Sequence, residues 1–214
     1  MSYPSLNAFF LRRLKDGARP QDPDPGALLS PCDGRVQAAG LVEGERLLQA
    51  KGVDYALDDL LSGAARGADV AGALALTLYL GPSDYHRVHA PLTGVLEQVL
   101  WVPGARYSVA PKVAARVRGL FARNERAVLS FATERGPFWL VMVGALNVGR
   151  IRVVGVEPGC SPPPARAFQR GAELARFEMG STVILILPRA QGFPLPALEP
   201  GTAVRLGQAL ARRG

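Results

Sequence analysis

Several residues that announce a particular chemistry are scarce in this chain. Two cysteines, Cys32 and Cys160, form no zinc-like spacing and no disulfide framework, which favours a reduced, cytosolic setting. Only three lysines occur (Lys15, Lys51 and Lys112), and none sits in the Met-Lys hairpin tip that a lipoyl or biotinyl carrier presents. Aromatic residues make up 7% of the chain, few for stacking on bases, and no nucleic-acid-binding motif is visible. No apolar run approaches the roughly 20 residues that cross a bilayer as a helix. A signal peptide's apolar stretch is also missing from the first residues. Histidine is as scarce as cysteine: His86 and His89 are the only two, three positions apart. They are the first candidates for acid–base work near neutral pH.

What is abundant points to strands. The chain has 24 glycines, 18 prolines and 48% hydrophobic residues in short runs. That composition predicts a mainly β (α+β) fold, one domain over residues 1–214, with many strands joined by tight turns. Strands are expected near 74–80, 95–102, 127–133, 138–144, 147–156 and 183–187, with 81–94 as a loop. Residues 1–20 form an N-terminal helical segment: a short amphipathic helix over 5–15, capped by Ser5, with Leu6, Phe9, Phe10 and Leu14 on one face. A second small helix over 54–61 is capped by Asp54, with Leu57, Leu60 and Leu61 inward and Gly63 as the stop. Two echoes suggest pseudo-symmetric halves. Pro31-Cys-Asp-Gly34-Arg-Val36 matches Pro91-Leu-Thr-Gly94-Val-Leu96, and Gly171-x-x-Leu-Ala-Arg176 matches Gly207-x-x-Leu-Ala-Arg212. The expected core is therefore a pseudo-symmetric β-sandwich, barrel-sandwich-like in outline.

The formal net charge is +7, mostly from arginine, which suits an anionic partner such as a membrane surface. Arg106, Lys112, Arg116, Arg118, Arg123 and Arg126 stand against one acid, Glu125, in residues 106–126. Arg12, Arg13 and Lys15 flank the two phenylalanines of the N-terminal helix.

The chemistry gathers at three places. Gly180-Ser181-Thr182 opens the buried run Val183–Leu187, where a serine hydroxyl can be aimed at a carbonyl. The segment Asp84-Tyr85-His86-Arg87-Val88-His89 holds both histidines directly after a predicted strand. Pro82 and Pro91 bracket it and no Cys/Glu pair completes a ligand set, so no metal is expected. Asp33 sits in a Pro-x-Asp-Gly turn that the echo relates to the turn after His89. Asp33, His89 and Ser181 can then form a Ser-His-Asp set, in which Asp orients His and His takes the serine proton. A hydrolase that keeps Ser181 intact is one use of such a set, although the G-x-S-x-G elbow is missing.

At this point the sequence resembles the phosphatidylserine decarboxylase family, in its short bacterial-type form. The matching stretches are Phe9–Lys15 with Ala18-Arg19-Pro20, Ser30–Gly34, Asp84–Pro91, Leu120–Arg126, Val143–Gly149 and Gly180-Ser181-Thr182, in the family's order. The resemblance implies that Asp33, His89 and Ser181 drive self-cleavage between Gly180 and Ser181, giving chains 1–180 and 181–214 that stay associated. It implies that Ser181 becomes a covalent pyruvoyl group, the sole cofactor, which forms a Schiff base with the serine amine of the lipid. His86 would serve decarboxylation by proton transfer, and Tyr85, Arg87 and Asn124 are candidates for substrate binding. The expected substrate is phosphatidylserine, or a related serine phospholipid of the archaetidylserine type. The expected place is the cytoplasmic side of the cell membrane, peripherally bound, with a homodimer able to bury the Phe9-Phe10 face.

Overall fold

The computed structural model describes residues 3, 5–50, 53–145, 151–157, 165–177 and 181–213. Helix α1 (Leu6–Phe10) is shorter than the expected 5–15. The Arg87 guanidinium takes the carbonyls of Leu11 and Arg12, at 2.7 and 3.3 Å, which a longer helix would have needed for its own ladder. Strand β1 (Leu28–Leu29) leads through a turn into β2 (Gly34–Leu41). A hairpin, β3 (Arg46–Ala50) and β4 (Val53–Ala56), precedes α2 (Leu57–Leu61). Asp54 therefore does not cap this helix: it lies in β4, ion-paired with Arg46. Leu57, Leu60 and Leu61 are buried as the pattern required.

Strand β5 (Leu74–Leu80) runs into the histidine segment, which is not all loop: residues Arg87–His89 form β6. Next come β7 (Gly94–Val102), α3 (Pro111–Ala114), α4 (Leu120–Arg123), β8 (Arg126–Thr133) and β9 (Gly136–Val143). Of the strand expected over 147–156, Ile151–Val153 forms β10, and residues 146–150 lie outside the described set. The chain ends with β11 (Arg166–Phe168), β12 (Glu173–Phe177), β13 (Ser181–Leu187), β14 (Ala203–Val204) and β15 (Ala209–Ala211).

An antiparallel sheet in the order β11-β7-β8-β9-β13-β5-β2-β14 forms the body. Strand β13 is central in it, and all seven of its residues are buried, hence its unbroken apolar run. Smaller sheets, β10-β12-β6 and β1-β15, lie beside it.

The echoes are structural. Strands β2 and β7 are each second from an edge of the large sheet. The turn before each is held by matching backbone bonds. Leu29 donates to Pro91 at 3.2 Å, as His89 does to Pro31 at 2.8 Å. Ser30 donates to Gln208 and Ala90 to Ala172, at 2.7 and 2.9 Å. Gly207 donates to Ser30 and Gly171 to Ala90, at 3.1 and 2.8 Å. Both of these glycines have φ near +80° (Gly171 +82°, Gly207 +81°), where a side chain would be strained. In this frame His89 corresponds to Leu29, and Asp33 to Thr93.

Candidate active site

Three adjacent strands bring the sequence candidates to one end of the large sheet. Ser181 opens β13 opposite Leu80 of β5, and Arg35 of β2 lies opposite Tyr79 on the other side of β5. Gly34 thus falls beside Leu80, and Asp33 and Ser181 stand two strands apart, each strand step being about 4.8 Å. A Cβ at Gly34 would press into the Tyr79 carbonyl oxygen, so only glycine lets β2 dock here. From Leu80 the chain turns directly into the histidine segment. The Asp84 carboxylate closes that turn by accepting the Gly81 N–H at 2.7 Å.

The Ser181 side chain is fully buried, and its Oγ has no hydrogen-bond partner among the described residues. Gly180 lies outside the described residues.

Both histidines have their tautomer set by a carbonyl. The Nδ1 of His86 is 2.8 Å from the Asp84 oxygen, and the Nδ1 of His89 is 2.8 Å from the Gly171 oxygen. A carbonyl only accepts, so Nδ1 carries the proton in each ring and Nε2 keeps its lone pair. The Nε2 of His86 is buried without a partner among the described residues, with the Phe10 ring edge-on at 4.8 Å. The Nε2 of His89 faces the Tyr85 hydroxyl at 3.4 Å. Burial lowers the pKa of both rings below the usual histidine value, which favours the neutral, basic form. For His89 the bond to Gly171 and the charges of Glu173 and Asp33 pull the other way.

Asp33 is held elsewhere than expected. Its carboxylate accepts two bonds from the Arg19 fork, Nε at 2.8 Å and Nη2 at 2.6 Å, and a third from the Leu206 N–H at 2.9 Å. Among the described residues no hydrogen bond joins Asp33 to His89 or His89 to Ser181. The structure brings these three to one region without closing the relay. A cavity of about 220 Å³ lies at the crossing of the two halves, with Leu29 and His89, and Gly171 and Gly207, in its wall. Tyr85, Glu173, Arg13, Lys15 and Arg19 also line it, so its chemistry is zwitterionic with an excess of cations.

The other candidates for substrate contact divide. Tyr85 lines the cavity. Arg87 is committed to Glu173 at 2.6 Å and to the Leu11 and Arg12 carbonyls. The Asn124 amide is buried and spends its bonds on the backbone of Tyr107 and Gly144, which suits bracing more than substrate contact. Arg126, read as part of a basic face, is buried instead, donating to the carbonyls of Leu60, Ala122, Asn124 and Asp59. Arg106 pairs with Glu125, and Arg118 reaches Asp54 at 3.7 Å.

Arg19 and Glu173 were not singled out from the sequence. A signal existed for Glu173: it stands where the two glycine echoes diverge, opposite Ala209 of the second copy.

Comparison with known proteins places this chain in a family. Residues 6–212 match the family model described as Phosphatidylserine decarboxylase. A protein of Xanthomonas axonopodis pv. citri (strain 306) is 48% identical over 99% of this chain and 80% of its own length. One from Pseudomonas fluorescens (strain Pf0-1) is 44% identical, covering 99% and 79%. One from Halorhodospira halophila is 46% identical, covering 99% and 75%. Each of the three is named phosphatidylserine decarboxylase proenzyme.

Proposed function

The chain belongs to the phosphatidylserine decarboxylase family, and from that premise we propose that it cuts its own backbone between Gly180 and Ser181 and then releases the carboxyl group of phosphatidylserine as CO2. The product lipid is phosphatidylethanolamine. The observation that carries this reading is the Ser181 hydroxyl, buried and without a hydrogen-bond partner among the described residues at the mouth of the central strand. A buried structural serine would ordinarily be hydrogen-bonded.

In the self-cleavage, His89 takes the proton of Ser181 Oγ, which attacks the Gly180 carbonyl carbon. The Gly180–Ser181 amide gives way to an ester and a free amine on residue 181. Removal of the Ser181 α-proton then breaks the Cβ–O bond and frees the chain ending at Gly180. The dehydroalanine left behind tautomerises, takes up water and loses ammonia, becoming a pyruvoyl group. Asp33 supports His89 through its charge in this arrangement, since its bonds go to Arg19 and Leu206.

A pyruvoyl group supplies an electrophilic carbonyl that accepts the electrons left when CO2 departs. The cavity beside His89 carries Arg13 and Lys15 in its wall, cations that suit a phosphodiester, while Ser181 is not among the residues that line it. His86 returns the proton to the α-carbon.

One observation favours a second assignment of the imidazoles. The Phe177 N–H donates to the His86 carbonyl at 3.0 Å, so the chain enters the stretch before Ser181 beside His86. Among the described residues His86 Nε2, Ser181 Oγ and the adjacent Thr182 Oγ1 are all buried without a partner. On this reading His86 is the base for Ser181 as well.

Chain 181–214 keeps its place after the cut because β13 lies between β9 and β5, and β14 and β15 pair with β2 and β1. The membrane-facing part is the N-terminus, where Tyr3, Arg13 and Lys15 are exposed and Phe9 is half-buried. Among the described residues no helix is long and apolar enough to cross a membrane. Peripheral binding at the cytoplasmic face fits this arrangement. Phe10 is already covered by its own chain against His86, so a homodimer is not needed to bury it.

The test is incubation with phosphatidylserine vesicles. Equal amounts of phosphatidylethanolamine and CO2 are expected, and neither with Ser181→Ala. Release of fatty acid or serine without CO2 would select the hydrolase instead. Ether-linked serine lipid in a parallel arm sets the backbone preference.

A further inference from the structure

Asp33 is the most tightly held carboxylate at the site. Its side chain is 10% exposed, and Arg19 meets it with two parallel bonds from a rigid fork. The Leu206 N–H holds the same Oδ1 from the other side. The turn carrying Asp33 is tied in turn to His89, whose N–H donates to the Pro31 carbonyl at 2.8 Å. The Asp33 carboxylate is therefore clamped between Arg19 and the Leu206 N–H, on a turn that Pro31 ties to the strand carrying His89.

Arg19 is not a casual surface partner. It follows a segment strapped across the histidine loop: Arg12 donates to the carbonyls of Ser83 and Asp84 at 2.8 and 3.1 Å, and Arg87 holds Leu11 and Arg12 from beneath. The same fork geometry from lysine would give one bond, not two. The pseudo-symmetric counterpart sharpens the contrast. Thr93 Oγ1 accepts the Arg170 N–H at 3.1 Å, as Asp33 Oδ1 accepts that of Leu206. A neutral hydroxyl thus suffices to hold the turn. The charge at position 33, and the arginine that meets it, serve something besides the fold.

We propose that Arg19 is a positioning residue of the self-cleavage site, holding the Asp33 carboxylate in the one place from which its charge acts on His89. The inference rests on the self-cleavage reading above. Without Arg19 the buried carboxylate keeps only the Leu206 bond and leaves that place, because a buried charge short of partners is costly.

The experiment follows chain splitting with time, by denaturing mass spectrometry on freshly translated full-length protein. Arg19→Ala should slow splitting about 10- to 100-fold, the usual scale for losing a supporting partner of a reactive group. Arg19→Lys should recover part of the rate. In an Asp33→Asn background, Arg19→Ala should cost nothing further, because there is no longer a carboxylate to hold. Splitting of Arg19→Ala at or above the wild-type rate would overturn the proposal. So would an undiminished cost in the Asp33→Asn background, which would mark Arg19 as a general fold contact. If Arg19→Ala does not fold, Arg19→Lys and Arg19→Gln carry the same comparison. A wild-type chain that never splits would remove the self-cleavage reading itself, an outcome distinct from a failure of Arg19 alone.

Discussion

The backbone N–H of His89 donates to the carbonyl oxygen of Pro31 at 2.8 Å, and its counterpart Leu29 makes the same bond to Pro91. This crossed pair locks the two halves together at the turns that carry the candidate chemistry. The halves match in backbone and differ in side chain: His89 against Leu29, Asp33 against Thr93. One scaffold, used twice, places a base from one copy and a carboxylate from the other on two joined turns, with His89 in the wall of the cavity.

That docking makes a glycine indispensable. A Cβ at Gly34 would press into the Tyr79 carbonyl oxygen, and one at Gly94 would come within 2.9 Å of the Ala132 oxygen. Gly34→Ala should cost about 1–3 kcal/mol, as overpacking commonly does, and Gly94→Ala less. Denaturant midpoints measure both. Chain splitting should also slow in Gly34→Ala, because Asp33 is the adjacent residue.

The two histidines should separate by function. With His89 as the base for Ser181, His89→Ala stays uncut, whereas His86→Ala is cut but releases no CO2. If His86→Ala also stays whole, the second assignment holds and His86 serves both steps. A His89→Ala protein that splits at the wild-type rate would remove His89 from the self-cleavage.

Acid should act on these rings late. Burial lowers both values below the ordinary 6.5, so the unfolded chain binds protons first as pH falls. Their contribution to stability is thus whole above 6.5 and is lost as pH drops from there through the lowered folded values. The acid limb of the splitting rate should likewise lie below 6.5. A limb above that value in a pH series would contradict neutral, buried imidazoles.

Much of this was legible from residue patterns. The run at 183–187 and the strand at 74–80 are apolar and long enough to declare themselves, and the glycine echoes marked real pairs of turns. Less was legible where long-range contacts override local preference. The helix expected over 5–15 stops at Phe10 because Arg87, far along the chain, claims its carbonyls. Asp54 looked like a cap, yet it pairs across a hairpin with Arg46. Strand β6 is three residues long, too short to show a period. Burial of Arg126 is invisible in a basic stretch, since its partners are carbonyls and carry no side-chain signature. At the site, residue types pointed to Asp33, His86, His89 and Ser181, but the Arg19 fork required coordinates.

Intact mass under denaturing conditions tests the central claim most directly. The account predicts two chains, 1–180 and 181–214, the smaller carrying a pyruvoyl group in place of its first residue and resisting N-terminal degradation. Ser181→Ala should give one chain of full mass and no CO2. A single uncut chain in a preparation that still decarboxylates phosphatidylserine would contradict the account.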